Sequence, residues 1–376
     1  MRGHRAILIC SLGAMSESLV YTALAPLLNQ LDGTEGFNHQ QGGLLVAGYA
    51  IGYWLGSLPA YQLVGRVGPR ATAALGIATV SVATLLFGWC NSFAMLMTAR
   101  LLVGLGSVVA YTGVLIAAGA MAGQEERGGA IGTVYSGSAA GSSIGPLIGA
   151  LATSLGRALV FSAVGSAQAL IAILLTGLPK TSADRLPSPR AVLRHLRWSQ
   201  VRIGLWITSL PGFALGVLTV SGTYRLHELG ADSFLVATAF SGVAVINIGL
   251  APRLGRASDR YGRRGALTLA LAVATIAIAL IAATSLQIST MILIAIAGAF
   301  MLAVAGPGLA LIGDGIARHS GDPAAAPLLM NMFWGPAAAL GAISAGHVHG
   351  VLGAEQSFLM LTAVAAASIV AVRRNA

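Results

Sequence analysis

Gly255-Arg256-Ala257-Ser258-Asp259-Arg260-Tyr261-Gly262-Arg263-Arg264 lies between two apolar runs, 233–252 and 265–285. Each run is long enough to cross about 30 Å of hydrocarbon as a helix. A stretch with four arginines in ten residues has no place in that medium, so it reads as a short polar turn joining two membrane spans. A shorter counterpart, Arg66-Val67-Gly68-Pro69-Arg70, follows another apolar run, with Arg66 standing 194 positions before Arg260. A basic turn repeated at that interval predicts a duplicated membrane protein.

Apolar stretches near 20 residues recur outward from both turns. They fall at 6–28, 40–63, 71–90, 93–120, 129–151 and 157–178, then at 203–224, 233–252, 265–285, 288–312, 325–347 and 355–372. The expected fold is all-α and integral to the membrane, with twelve transmembrane helices in two pseudo-symmetric six-helix bundles. The expected domains are 1–178, a basic cytoplasmic linker 179–202, and 203–376. Gly145 and Gly341 stand 196 positions apart in spans five and eleven and support the duplication.

Composition agrees. Of 376 residues, 56% are hydrophobic and 9% charged, and the mean hydropathy is +0.80. A soluble domain carries about 25% charged residues. This chain could not cover a water-facing surface, which excludes an ordinary soluble enzyme, a disordered protein and a disulfide scaffold.

The net charge of +10 is a topology signal rather than a nucleic-acid footprint. With the N-terminus placed in the cytoplasm, 19 of the 22 basic residues fall on the inner side. Only Arg157 and Arg225 fall outside, and Arg100 lies within a span. One missed helix would invert every later turn, so the expected location is the cell membrane with both termini cytoplasmic. The first apolar run is too long for a secretion signal and contains Glu17, so it reads as a retained helix. Cys10 and Cys90 both lie in apolar stretches and suggest neither a disulfide nor a metal site. In the linker, Arg190, Arg194 and Arg197 share one helical face beside Val192, Leu193, Leu196 and Trp198. Two readings stay open there: a helix lying on the anionic leaflet, or a solvated linker.

Three motifs carry a family resemblance over the whole chain. The turn at 255–264 is similar to the G-x-x-x-D-R-x-G-R-R signature of the major facilitator superfamily, through Gly255, Asp259, Arg260, Gly262, Arg263 and Arg264. Its first-half copy is degenerate, with Tyr61 in place of the first Gly and Gly65 in place of the Asp. Arg100, Gly104 and Gly106 resemble the family's R-x-x-x-G-x-G segment. Gly141, Gly145, Pro146 and Gly149 resemble its antiporter motif G-x-x-x-G-P-x-x-G-G, with Ala150 in place of the last Gly. The resemblance is strongest to twelve-helix proton-coupled drug and metabolite antiporters. It implies a latch in which Asp259 faces the N-terminal end of span five, near residues 127–130, and arginines bridge to nearby acids. It also implies export rather than import.

Physical chemistry singles out Glu17, the acid placed deepest within a span. A carboxyl in hydrocarbon is costly to keep ionised, so it can carry a proton through a transport cycle. Arg100 is a candidate partner in that coupling, or an anchor for an anion. Pro146 should bend its helix, and Gly137, Gly141, Gly145 and Gly149 form a small-residue face for close packing. Tyr21, Tyr49, Tyr53, Tyr111, Tyr135, Asn247, Asn331 and Trp334 lie in spans that line the cavity in the resembled family, and ordinary packing competes with substrate contact at each. His347 and His349 do not share a helix face, and no metal site is expected. No phosphate-binding or dinucleotide motif occurs in the sequence, so no cofactor is expected and the driving force would be a proton gradient.

The expected function is proton-coupled export of a small lipophilic or cationic compound by a monomer whose partners are that substrate and membrane lipids, without nucleic acid. A proton-coupled importer of a sugar or organic anion, and a lipid or lysolipid transporter of the same fold, are the alternatives. A membrane enzyme or sensor is disfavoured, because no catalytic constellation is present.

Overall fold

The computed structural model describes residues 2–122, 126–180, 192–319, 321 and 325–375, and among them the regular structure is all helical. Contacts divide the chain into two units. One contains 1–30 and 48–186, the other 31–47 and 187–376.

The first unit is built from α1 (Arg2–Thr22), most of α3 (His39–Val67), α4 (Pro69–Trp89), α5 (Phe93–Met121), α6 (Arg127–Leu155) and α7 (Arg157–Thr176). In it, α1 packs on α6 and α5, and α4 packs on α5 and α7. The second contains the short α2 (Leu28–Glu35) from Leu31 on, the first turns of α3, and α8 (Ser199–Val217). A π turn (Leu218–Gly222) links α8 to α9 (Thr223–Glu228). Then come α10 (Ser233–Tyr261), α11 (Arg263–Ala283), α12 (Gln287–Ala303), α13 (Ala305–Ala317), α14 (Ala326–Leu352) and α15 (Ala354–Asn375). Here α8 packs on α14 and α13, α10 on α12, and α11 on α12 and α15.

Eleven continuous helical stretches among the described residues are long and apolar enough to cross a membrane. The twelfth of the expected spans is α6, which is 29 residues long but falls short in hydropathy. Its glycines and serines dilute its apolar character, and the glycines let it approach a neighbour closely.

Helix ends differ from expectation. Both α3 and α10 have 29 residues. At about 1.5 Å per residue each is roughly 43 Å long, well beyond the hydrocarbon thickness of about 30 Å. The surplus turns carry the arginines, so residues 255–261 are the end of a helix rather than a loop. Two spans are also interrupted. The helix α1 stops at Thr22 and a 3-10 turn follows at Ala25–Leu27, while α12 stops at Ala303 before α13 begins. Pro26 and Pro307 lie four residues beyond those stops. Each lacks the N–H that would bond back to the last helical carbonyl, and its ring crowds that carbonyl. Pro146 removes the equivalent bond to Ser142 without ending α6.

The duplication is visible in the backbone. The glycines at positive φ pair between halves: Gly36 with Gly230, Gly68 with Gly262, and Gly156 with Gly353. Gly68 and Gly262 have φ values of 85° and 91°, a region costly for residues with a Cβ, and each lets one helix end directly before the next begins.

In the described end of the linker, Val192 and Leu193 are helical and Arg194–Arg197 form a 3-10 turn. Trp198 ends the turn in an extended conformation, stacked between His195 and His319 at 4.7 and 4.2 Å. Residues 181–191, with Arg185 and Arg190, lie outside the described residues.

The close contact between α1 and α6 follows a four-residue period. A Cβ added at Gly137, Gly141, Gly145 or Gly149 of α6 would strike the backbone carbonyl oxygen of Ser11, Met15, Leu19 or Ala23 respectively. We therefore expect Gly141→Leu to cost about 3 kcal/mol or more, or to prevent folding. Gly132→Ala, on the same helix with open space around it, should be neutral or up to about 1 kcal/mol stabilising. Thermal unfolding of the purified variants checks both.

Candidate functional site

The seam between α1 and α6 fixes α1 along the length that carries Glu17. Ser11 Oγ donates to Thr133 O at 2.8 Å near one end of the contact, and Gln168 of α7 donates to Ser16 O at 3.0 Å. Glu17 is 4% exposed. Ser18 Oγ donates to Glu17 Oε1 at 2.6 Å, within the range of a hydroxyl bonded to a carboxylate. The same hydroxyl lies 2.6 Å from Ser138 Oγ on α6. A chain of two serines therefore runs from the glycine-bearing helix to the carboxyl. Ser107 of α5 and Tyr49 of α3 face the same carboxyl. The Ser107 hydroxyl is buried.

Arg100 of α5 is 2% exposed. Its Nη1 donates to Val20 O at 3.3 Å, and the guanidinium lies 5.4 Å from the Tyr49 ring centroid. Val20 is less than one turn from Glu17, so the acid and the arginine occupy the same level of α1. A charge in hydrocarbon is expensive, and the carbonyl and the aromatic face offset part of that cost. The side chain is held inside the unit.

Aromatic side chains continue from this pair. Tyr21 and Tyr49 have ring centroids 4.4 Å apart, and Tyr49 and Tyr53 are 6.0 Å apart. Tyr111 and Tyr135 meet edge to face at 6.0 Å. Tyr135 is exposed while Tyr49 and Tyr53 are buried. All five tyrosines singled out in the sequence thus belong to the unit that holds Glu17 and Arg100. They present several π-faces and phenolic hydroxyls beside one acid, an arrangement suited to an organic cation or a neutral aromatic compound.

The other three cavity candidates belong to the second unit. Asn247 Nδ2 donates to Ala299 O at 3.0 Å, so its amide ties α10 to α12. Trp334 packs beside Gly212 on α8, where a Cβ would meet the Trp334 carbonyl and indole. Asn331 lies half-buried on α14.

In the basic turn, Asp259 and Arg260 are exposed on the last turns of α10, and Arg260 lies over the Tyr261 ring at 5.3 Å. Arg263 Nη2 reaches Asp314 Oδ2 at 2.8 Å, joining the start of α11 to α13. Both partners are substantially solvated, so this ion pair contributes about 1 kcal/mol or less and acts mainly by fixing geometry. In the first unit Arg70 Nη1 donates to Leu178 O at 2.8 Å.

Sequence reasoning missed Ser18, Ser107 and Ser138. Each is an ordinary serine in a membrane helix. Only Ser18 gave a signal, as the neighbour of Glu17; the other two reach the acid through helix packing. It also missed the partners of His349, since Glu228 and His39 come from distant parts of the chain.

No curated protein sequence matches this chain closely enough to count as a relative. Among solved structures, a bacterial homolog of the human lysosomal transporter Spinster, in an inward-facing and occupied conformation, is similar with TM-score 0.84 and 16% identity, covering 100% of this chain and 97% of that one. The unoccupied form of that homolog gives 0.79 at 16% identity, covering 100% and 98%. The nucleoside transporter NupG, as a point mutant, gives 0.78 at 12% identity, covering 98% and 99%. At these identities the likeness establishes the fold alone. The family model described as Major Facilitator Superfamily matches residues 7–342. With its all-helical, multi-pass membrane fold, the chain belongs to the Major Facilitator Superfamily and is a transporter rather than an enzyme.

Proposed function

We propose that this transporter exports a small lipophilic or cationic compound in exchange for protons, by alternating access. The observation that carries the reading is Glu17: a carboxyl 4% exposed toward the C-terminal end of α1, bonded to Ser18 and bordered by tyrosines. One acid that binds either a proton or a cationic substrate is the simplest exchange device. The aromatic rings favour an organic cation, and the glycine seam supplies the antiporter-like motif in α6. Arg100 holds Tyr49 and α1 in register, and Asp259 with Arg260, Arg263 and Arg264 serves the gate. The arginine distribution supports a cytoplasmic side for the basic helix ends and both termini, and in this reading the chain acts as a monomer in the cell membrane. The proton gradient supplies the energy. Bound lipid is the surrounding medium, and nucleic acid has no role.

A second reading, proton-coupled uptake of an organic anion or sugar, rests on Arg100, which is as deeply buried as Glu17. The two readings differ in the direction of proton movement relative to substrate.

Purified protein in liposomes with an imposed pH gradient and an internal pH dye separates them. We expect a cationic compound to trigger proton flux opposite to its own movement, and Glu17→Gln to reduce that flux at least tenfold. Unchanged flux in Glu17→Gln would remove the central residue, and flux in the same direction as the compound would establish symport. Ser138→Ala removes one hydroxyl from the chain that reaches Glu17. Loss of a hydrogen bond worth about 1 kcal/mol corresponds to roughly a fivefold lower exchange rate with folding unchanged.

A further inference from the structure

A second group of ionisable side chains lies in the other unit. It is assembled from α2, the first turns of α3, α9 and α14. The His349 ring, 5% exposed, stacks on the His39 ring with centroids 4.8 Å apart and planes 15° apart. The Tyr224 ring meets both edge-on, at 4.3 Å from His39 and 5.4 Å from His349. Tyr224 Oη donates to Asp32 Oδ1 at 3.2 Å. His349 Nε2 lies 3.1 Å from Glu228 Oε1, while Glu228 Oε2 lies 3.3 Å from Arg225 Nη1. Arg225 is anchored in turn to Thr284 O at 3.2 Å. His347 is turned to Gln40, at 3.3 Å. His227 and Asp232 flank the end of α9 and lie near each other.

The backbone around this group is tightly fitted. A Cβ at Gly42 would strike Tyr224 Oη, one at Gly43 would strike the Ala342 carbonyl, and one at Gly346 would strike the His39 carbonyl. The segment 31–47 is therefore held on α9 and α14 by glycine contacts, aromatic rings and the Asp32–Tyr224 bond. The α3 helix continues from there into the other unit.

Charge balance limits how many protons the group can take in this arrangement. Asp32 and Glu228 carry two negative charges, and Arg225 cancels one. One imidazolium balances the other. His39 is half-buried and lies close to Asp32. A second proton has no counter-charge. It would put two cations face to face, and it would bury a second N–H on His349, whose Nδ1 has no hydrogen-bond partner.

We propose that His39 and His349, with Glu228 and Asp32, form a second proton-binding site, and that filling it releases the segment 31–47 from α9 and α14. The clasp is closed with at most one imidazole charged, and it is lost as pH falls and the second charges. In the orientation proposed above, on which the physiological meaning of this site rests, it lies at the outer ends of the helices. Protons arriving from outside would loosen the outer end of α3.

Hydrogen exchange read by mass spectrometry on the purified full chain tests this without measuring transport. Protection of 31–47, corrected for the intrinsic pH dependence of exchange, should fall at least tenfold between pH 7.5 and pH 5.0. His349→Gln and His39→Gln should each reduce that step to less than twofold. His347→Gln and Glu17→Gln should keep it, and retention in Glu17→Gln separates this site from the exchange mechanism. If His349→Gln does not fold, His39→Gln, at a half-exposed position, decides alone. A pH-independent protection in wild type, or a full step surviving in His39→Gln, overturns the proposal.

Discussion

The backbone contact between α1 and α6 is the constraint on which the first unit depends. Inside a bilayer the lipid tails are as apolar as leucine, so no hydrophobic force draws helices together. Close packing has to do it, and the four glycines from Gly137 to Gly149 let α6 lie against the carbonyls of Ser11, Met15, Leu19 and Ala23. The position of Glu17 is a consequence. It sits two residues from the contacts at Met15 and Leu19, and Ser138, next to Gly137, is brought within reach of Ser18. The second unit uses the same device: Gly212, Gly216 and Gly341 place α8 and α14 against each other's carbonyls at Trp334, Ala338 and Phe213.

The two units thus share a backbone plan and differ in chemistry. Paired positive-φ glycines and two glycine seams repeat between halves. The ionisable groups do not. In the first unit an acid and an arginine are buried in mid-span among tyrosines. In the second the polar groups gather near helix ends, at His349, Glu228 and Asp32, and at Arg263 and Asp314. Low dielectric makes each buried charge expensive unless it is paired or can be neutralised by a proton. That rule accounts for the local partners found around each of them.

Helix position was legible because hydrocarbon thickness acts on every span in the same way. Periodicity and charge located each membrane-crossing segment, including α6. Helix ends were less legible. A helix satisfies its own backbone in water as well as in lipid, so α3 and α10 run past the apolar region and carry Arg66 and Arg260 on helical turns. The breaks at Pro26 and Pro307 had a visible local cause, whereas Pro146 lies within an unbroken α6. The proline alone does not decide; neighbouring packing does.

The sequence by itself determined the span pattern, the duplication, the family and the two intramembrane charges, because each depends on composition or on residues close along the chain. Tertiary structure decided what those charges touch. Ser138 reaches Ser18 across 120 positions, Arg100 reaches Val20 across 80, and Glu228 reaches His349 across 121. It also set Asn247 to joining α10 with α12 rather than leaving its amide open. Such pairings follow from which helix faces meet and at what register. Glycine seams and proline breaks set that register in three dimensions, and one-dimensional periodicity carries no record of it.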